Sequence, residues 1–300
     1  MEITLNFGRK LPLCEACQDF IHTKKAERLS KTTIRSYVNI LAQFMDYVGK
    51  EKAFDKISVS DIREYLGFRD DVSAKTLYNY HTALSSLWSW GVSDGHVKEN
   101  IVRKINPPKY RKHRIIPYSH REVSRIFQAA RRSRDKAIVL VLIDCGLRAS
   151  ELVNLTVADW HPNSLKVLGK GNKERLVPLS DKTEKAVSIQ LKARQIDEKG
   201  IQGGDALFCN VTNNSGITYS TLENLMIRLG HASGVNDVHC HRFRHTFAIN
   251  YLRNGGDIYT LQKILGHSTL EMVRNYLDIV RADITAAHAK ASPVVNWGLG

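Results

Sequence analysis

Three hundred residues, 43% of them apolar, suit two ordinary domains with real cores. Lys and Arg number 44 against 30 Asp and Glu, and the resulting formal charge of +14 favours a polyanionic partner such as nucleic acid or an acidic membrane face. The opening Met1–Lys10 has no long apolar run, the longest one (Ala137–Ile143) is too short to span a bilayer, and five scattered cysteines argue against a disulfide framework, so the expectation is a cytoplasmic protein with no membrane partner.

The first third reads as helices. Ser30 introduces a run in which Ile34, Tyr37, Val38, Leu41, Phe44, Met45 and Val48 keep helical spacing, with Gly49 as the stop. Ser60-Asp61 opens a shorter helix through Ile62, Tyr65 and Leu66. Ser73 opens another through Leu77, Tyr80, Leu84, Leu87 and Trp88, ending near Gly91. These aromatics keep the helical period, so they read as core and not as base-stacking platforms. Cys14 and Cys17 have zinc-ligand spacing, but no second pair follows, and one helix face accounts for them. From Asn100 to Pro117 the pattern breaks at Pro107-Pro108 among Lys104, Lys109, Arg111, Lys112 and Arg114, which reads as an extended basic linker able to track a DNA backbone.

A second domain starts near Tyr118. Ser119 caps a helix with Glu122 at the capping-box position, and Asp135–Cys145 reads as a buried helix. A short helix through Leu152 and Leu155 follows Gly146-Leu147-Arg148. Leu165–Leu168 and Arg175–Leu179 flank Gly169-Lys170-Gly171-Asn172 as a β-hairpin. Helices are then expected near 181–198, 219–232, 239–254, 257–265 and 269–280, so the chain is mainly α with a small β-hairpin or sheet.

Three stretches can carry chemistry. Arg148 sits at a glycine-containing turn, where, taken alone, a surface pair with Glu151 explains it better than chemistry does. His241, Arg244 and His245 share one face of a helix, an arrangement suited to a phosphate oxygen. One competing reading is a solvated basic face, and another is a metal site built on His241 and His245, with Cys240 or His239. It is weakened by Arg242 standing where a zinc-protease motif has glutamate, and by the cationic neighbours. Gly266-His267 precedes Tyr276 by nine residues, and a lone tyrosine there is ordinarily packing.

Taken in order, Gly146-Leu-Arg148-Ala-Ser-Glu151-Leu, Gly169-Lys170-Gly-Asn-Lys173-Glu-Arg175, His241-Arg-Phe-Arg244-His245 and Leu265-Gly-His267 with Tyr276 resemble the tyrosine recombinase (phage integrase) family, nearest in likeness to Xer-type and transposon-integrase members. The motifs span about 130 residues, the usual scale of one domain. The resemblance implies a helical core-DNA-binding domain over 1–106, a basic linker over 107–117 and a mixed α/β catalytic domain with a C-terminal tail over 118–300. It implies site-specific recombination of double-stranded DNA through a 3′-phosphotyrosyl intermediate, with no cofactor and no metal. By the same likeness, Arg148 and Arg244 hold the phosphate, Tyr276 is the nucleophile and His241 its base or proton relay. Lys170 is the general acid, and His267 bonds a nonbridging oxygen.

Nearby arginines are expected to favour the phenolate, and His245 to support the site. A homotetramer on two DNA sites is implied, with a second recombinase or accessory factor as a further possible partner, and a C-terminal helix over 282–290 docking on a neighbour. The additional arm-type DNA-binding domain of some phage integrases is not expected, the chain being short at its N-terminus. The likeness thins around the nucleophile, where Met272-Val273 replaces a common Thr-Thr pair and Leu277-Asp278 follows in place of a histidine. Two alternatives remain: relaxation of supercoils in the manner of a type IB topoisomerase, and a non-catalytic DNA-binding accessory role.

Overall fold

The computed structural model describes residues 11–110, 115–169, 173–194, 200–210, 215–267, 269–270, 273–274, 276–277, 288 and 292–298. The chain divides into two compact units, Met1–His113 and Arg114–Gly300. Each has its own core.

The first unit is helical: α1 (Leu13–Ala26), α2 (Lys31–Val48), α3 (Val59–Phe68) and α4 (Ala74–Ser93). Ser30 caps α2 through the Thr33 N–H at 3.1 Å, and Gly49 ends it. The start of α3 lies earlier than the sequence suggests. Ser58 is the cap, and Asp61 is its return partner: the Asp61 carboxylate accepts the Ser58 N–H at 2.7 Å while the Ser58 hydroxyl accepts the Asp61 N–H. α4 ends near Gly91, as expected, though not at it. A Cβ there would stand 2.5 Å from the Phe54 ring, so this glycine admits Phe54 against the helix, which runs on to Ser93. The aromatics are core, as their period indicates: Phe44 packs edge-on against Tyr65 and Trp88, and Phe54 tilts against Trp88. Cys17 is buried on α1 with Leu13 and Phe20. The segment read as extended from Asn100 contains a 3-10 turn, Ile101–Lys104, because buried Val102 joins the core of this unit.

The second unit holds α5 (His120–Ala129), α6 (Ser133–Cys145), α7 (Ala149–Val153), β1 (Trp160–His161), β2 (Ser164–Leu168), β3 (Glu174–Pro178), α8 (Asp181–Lys192), α9 (Tyr219–Ser233), α10 (Cys240–Arg253) and α11 (Ile258–Leu265). Its centre is α6, apolar all round over Ala137–Ile143 and packed against α8 and α10. Ser119 and Glu122 form the expected capping box on α5. The hairpin is the larger part of an antiparallel sheet ordered β1-β2-β3, the short β1 being an addition to the sequence reading. Leu165 faces Val177 and Val167 faces Arg175 across the β2–β3 pair. The helix expected over 181–198 is shorter: α8 ends at Lys192, where the backbone turns at Ala193. The hairpin tip 170–172 lies outside the described residues. So do most of 269–280 and of the tail helix expected over 282–290. Val273-Arg274 and Tyr276-Leu277 are helical. Among the described residues no helix is long and apolar enough to cross a membrane.

Candidate active site

The site forms where α7, α10, α11 and β3 meet. Arg148 stands immediately before α7. Its backbone N–H donates to one oxygen of the Glu151 carboxylate at 2.9 Å, and its guanidinium donates to the other at 2.7 Å. The bland pairing with Glu151 is therefore real, but it is not merely a surface pair. Glu151 is 7% exposed and also receives both terminal nitrogens of Arg175, at 3.0 and 2.9 Å. Burial alone would raise this carboxyl. The hydrogen bonds from Arg175 and Arg148 outweigh it and hold Glu151 below the usual carboxylate range.

Arg175 also donates through Nε to the Ile264 carbonyl at 2.7 Å. That reach depends on Gly266. The residue is left-handed, with φ +63°, and a Cβ there would stand 3.1–3.2 Å from the Arg175 guanidinium. The glycine of the Leu265-Gly-His267 motif thus ends α11 and leaves room for the arginine of β3. Arg175 and Glu151 stand inside the ordered motifs, but neither is among the site residues that the family likeness implies. The available signal was strand alternation, because Arg175 shares the inward face of β3 with Val177.

Arg244, on α10, is 1% exposed. It donates to the Gly146 carbonyl and the Leu265 carbonyl, both at 2.8 Å, and lies 2.7 Å from Nε2 of His267. Burial, then the neighbouring Arg148 charge, brings it down to about 10, so it stays cationic at neutral pH. Arginine can only donate, so Nε2 of His267 accepts. The neutral ring then carries its proton on Nδ1, which is buried and without a partner among the described residues. Burial and the charges of Arg244 and Arg148 push His267 down to about 4, keeping it neutral.

His241 and His245 occupy successive turns of α10, their rings edge to face at 4.2 Å between centroids. His241 is the more open of the two, though part of its ring is covered, and His245 is half-buried. Burial, followed by neighbouring cationic groups, lowers both, His245 to about 4. A cavity of about 430 Å³ flanks Arg148 and His241 over Leu222, Met226 and Val238.

Tyr276 comes to this cluster in its own chain. Its ring is 3% exposed among Ala248, Ile249, Leu261, Leu265 and Val273, and its hydroxyl lies 2.9 Å from Nδ1 of His245. The arginine effect expected from sequence is present but loses: Arg244 and Arg148 pull the phenol down, burial pushes it up further, and it sits above the ordinary tyrosine value. Five of the six expected site residues, Arg148, His241, Arg244, His267 and Tyr276, therefore gather in one place. Lys170 lies outside the described residues, between Gly169 and Lys173, which close the hairpin with a 2.9 Å hydrogen bond. Among the described residues, no three His, Cys, Asp or Glu side chains group as metal ligands.

Residues 118–282 match the phage integrase family, and residues 17–96 match the phage integrase N-terminal SAM-like domain. The chain belongs to the phage integrase family of tyrosine recombinases. The tyrosine recombinase XerC of Staphylococcus carnosus (strain TM300) is 30% identical to this recombinase, over 92% of this chain and 96% of the relative. XerC of Staphylococcus epidermidis (strain RP62A) is 29% identical over 94% and 98%. The Tn1549 transposon integrase, solved in complex with circular intermediate DNA, aligns over 91% of this chain and 99% of its own with a TM-score of 0.75. At 19% identity that likeness speaks to the fold alone.

Proposed function

We propose that this recombinase cuts and rejoins DNA by transesterification at a site made of Arg148, Lys170, His241, Arg244, His267 and Tyr276. The observation that carries the reading is the convergence of a phenol, two guanidiniums and two imidazoles from α7, α10, α11 and the chain beyond it, with Arg244 buried and charged at the centre.

A phosphodiester already carries negative charge, and its pentacoordinate transition state concentrates more on the nonbridging oxygens. Arg148 and Arg244 offer forked donors to those oxygens, in the place a metal takes in other phosphoryl-transfer sites. The unpaired Nδ1–H of His267 is a third donor for the same charge. Tyr276 attacks phosphorus through its oxygen, forming a 3′-phosphotyrosyl bond, and the 5′-oxygen leaves, taking a proton from Lys170. His241, exposed beside Arg148, relays the phenol's proton. A 5′-hydroxyl of partner DNA then attacks the phosphotyrosyl bond, restores the phosphodiester and returns the tyrosine. Bond energy is kept in the covalent link, so no nucleotide cofactor is consumed.

Double-stranded DNA is the substrate, held by the helical unit (1–106), the basic linker (107–117) and the catalytic unit (118–300), with four protomers acting on two sites in the cytoplasm. The direct test is a two-duplex assay with matched sites taken from DNA flanking the gene. Recombinant products are expected. Relaxed supercoils without recombinants would mean topoisomerase behaviour, and binding without any cleavage would mean an accessory protein.

A further inference from the structure

Sequence likeness gives the phenol's proton to His241, yet the atom within hydrogen-bond distance of that phenol belongs to His245. The two histidines are one turn apart on α10 and do different things. His241 is exposed beside Arg148. His245 is turned into the unit, where Tyr276 is covered by Ala248, Ile249, Leu261, Leu265 and Val273. A phenol 3% exposed in such surroundings cannot meet a phosphate on DNA without leaving them. We infer that His245 holds the nucleophile back: its Nδ1 retains the Tyr276 hydroxyl in the DNA-free chain, and attack begins only when that hydrogen bond is broken. The inference rests on the reading of Tyr276 as the nucleophile.

Two considerations support a holding bond over a proton transfer. The first is the mismatch between the partners. The phenol is raised above its ordinary value near 10, and the imidazole is lowered to about 4, so the proton stays on Tyr276. The pair is then a neutral O–H to Nδ1 hydrogen bond, with the ring proton of His245 on Nε2, and no phenolate is stored in it. The second is the cost of a vacancy. A buried hydroxyl left without an acceptor is unfavourable, so this one bond is worth about tenfold in the balance between the seated and released phenol. The Arg244 hydrogen bonds go instead to the Gly146 and Leu265 carbonyls and to His267, and none reaches the Tyr276 hydroxyl.

The test uses the full chain without DNA and follows amide hydrogen exchange in the peptide covering 269–280. His245→Ala is expected to speed exchange there by about tenfold. His245→Asn, which places a carbonyl oxygen where Nδ1 was, is expected to restore slow exchange. Tyr276→Phe removes the donor, so adding His245→Ala to it should change nothing further. In single-turnover capture of a nicked half-site DNA, His245→Ala should react at least as fast as the intact protein. Unchanged exchange in His245→Ala, equal acceleration in His245→Asn, or slower capture by His245→Ala would each overturn the inference. If Tyr276→Phe itself still captures DNA, the nucleophile assignment fails, and the exchange data stand apart from it.

Discussion

At the scale of single residues, the site is a charge-management problem. Three guanidiniums crowd together, and Glu151 is the buried anion that lets them do so: it binds Arg148 and Arg175 directly and stands 3.9 Å from Arg244. Replacing Arg244 with lysine keeps a charge but loses the fork that reaches two carbonyls at once. Its covalent capture of nicked DNA should therefore fall by roughly 100–1000-fold, as when an oxyanion donor is removed. The histidines predict a pH response. His245 and His267 are depressed to about 4 in the folded chain against about 6.5 in the unfolded one, so the unfolded chain takes up protons first. The stability they contribute is complete above about pH 6.5 and is lost as pH falls toward 4. Thermal unfolding followed from pH 7 to pH 4 should show the midpoint dropping, with a shallower drop in His267→Gln; an identical slope would contradict the assignment.

At the scale of elements, motifs and elements fit together in ways that explain what was legible. Helices with an apolar stripe and a serine cap, such as α2 and α5, were readable because cap and period agree. The start of α3 was not, since Asp61 serves as a cap's partner instead of a cap; α4 does end near Gly91, although that glycine is there for packing against Phe54. The five described site residues were identifiable from ordered motifs, but their division of labour was not. Nothing in the spacing of His241 and His245 tells which one meets the tyrosine, because that depends on how the chain beyond α11 packs on α10. Burial likewise reversed the expected sign at the phenol. The glycine at the end of α11 is a sharper case: Gly266→Ala combines a positive φ with a Cβ pressed on Arg175. It should cost about 1–2 kcal/mol and lower the melting temperature by a few degrees. It should also reduce capture by loosening the Arg175–Glu151 pairing. An unchanged melting temperature and rate would show that Arg175 has room to spare.

At the scale of the whole molecule, the chain has two independently cored units, and its charge of +14 suits a polyanionic partner. If 6–10 phosphates are contacted, affinity should fall by about 10³–10⁵ between 50 and 200 mM salt. Tyr276→Phe should follow the same slope, since binding does not use the nucleophile; a slope near zero would remove the electrostatic footing of the account. The central claim is narrower than binding: one phenol, buried in the resting chain, becomes the covalent link to DNA. It is tested most directly by trapping the protein on a nicked half-site, digesting the adduct and sequencing the DNA-bearing peptide by mass spectrometry. The account predicts a single linkage, a 3′-phosphate esterified to the oxygen of Tyr276. A linkage to any other residue, or to a 5′-phosphate, would contradict it.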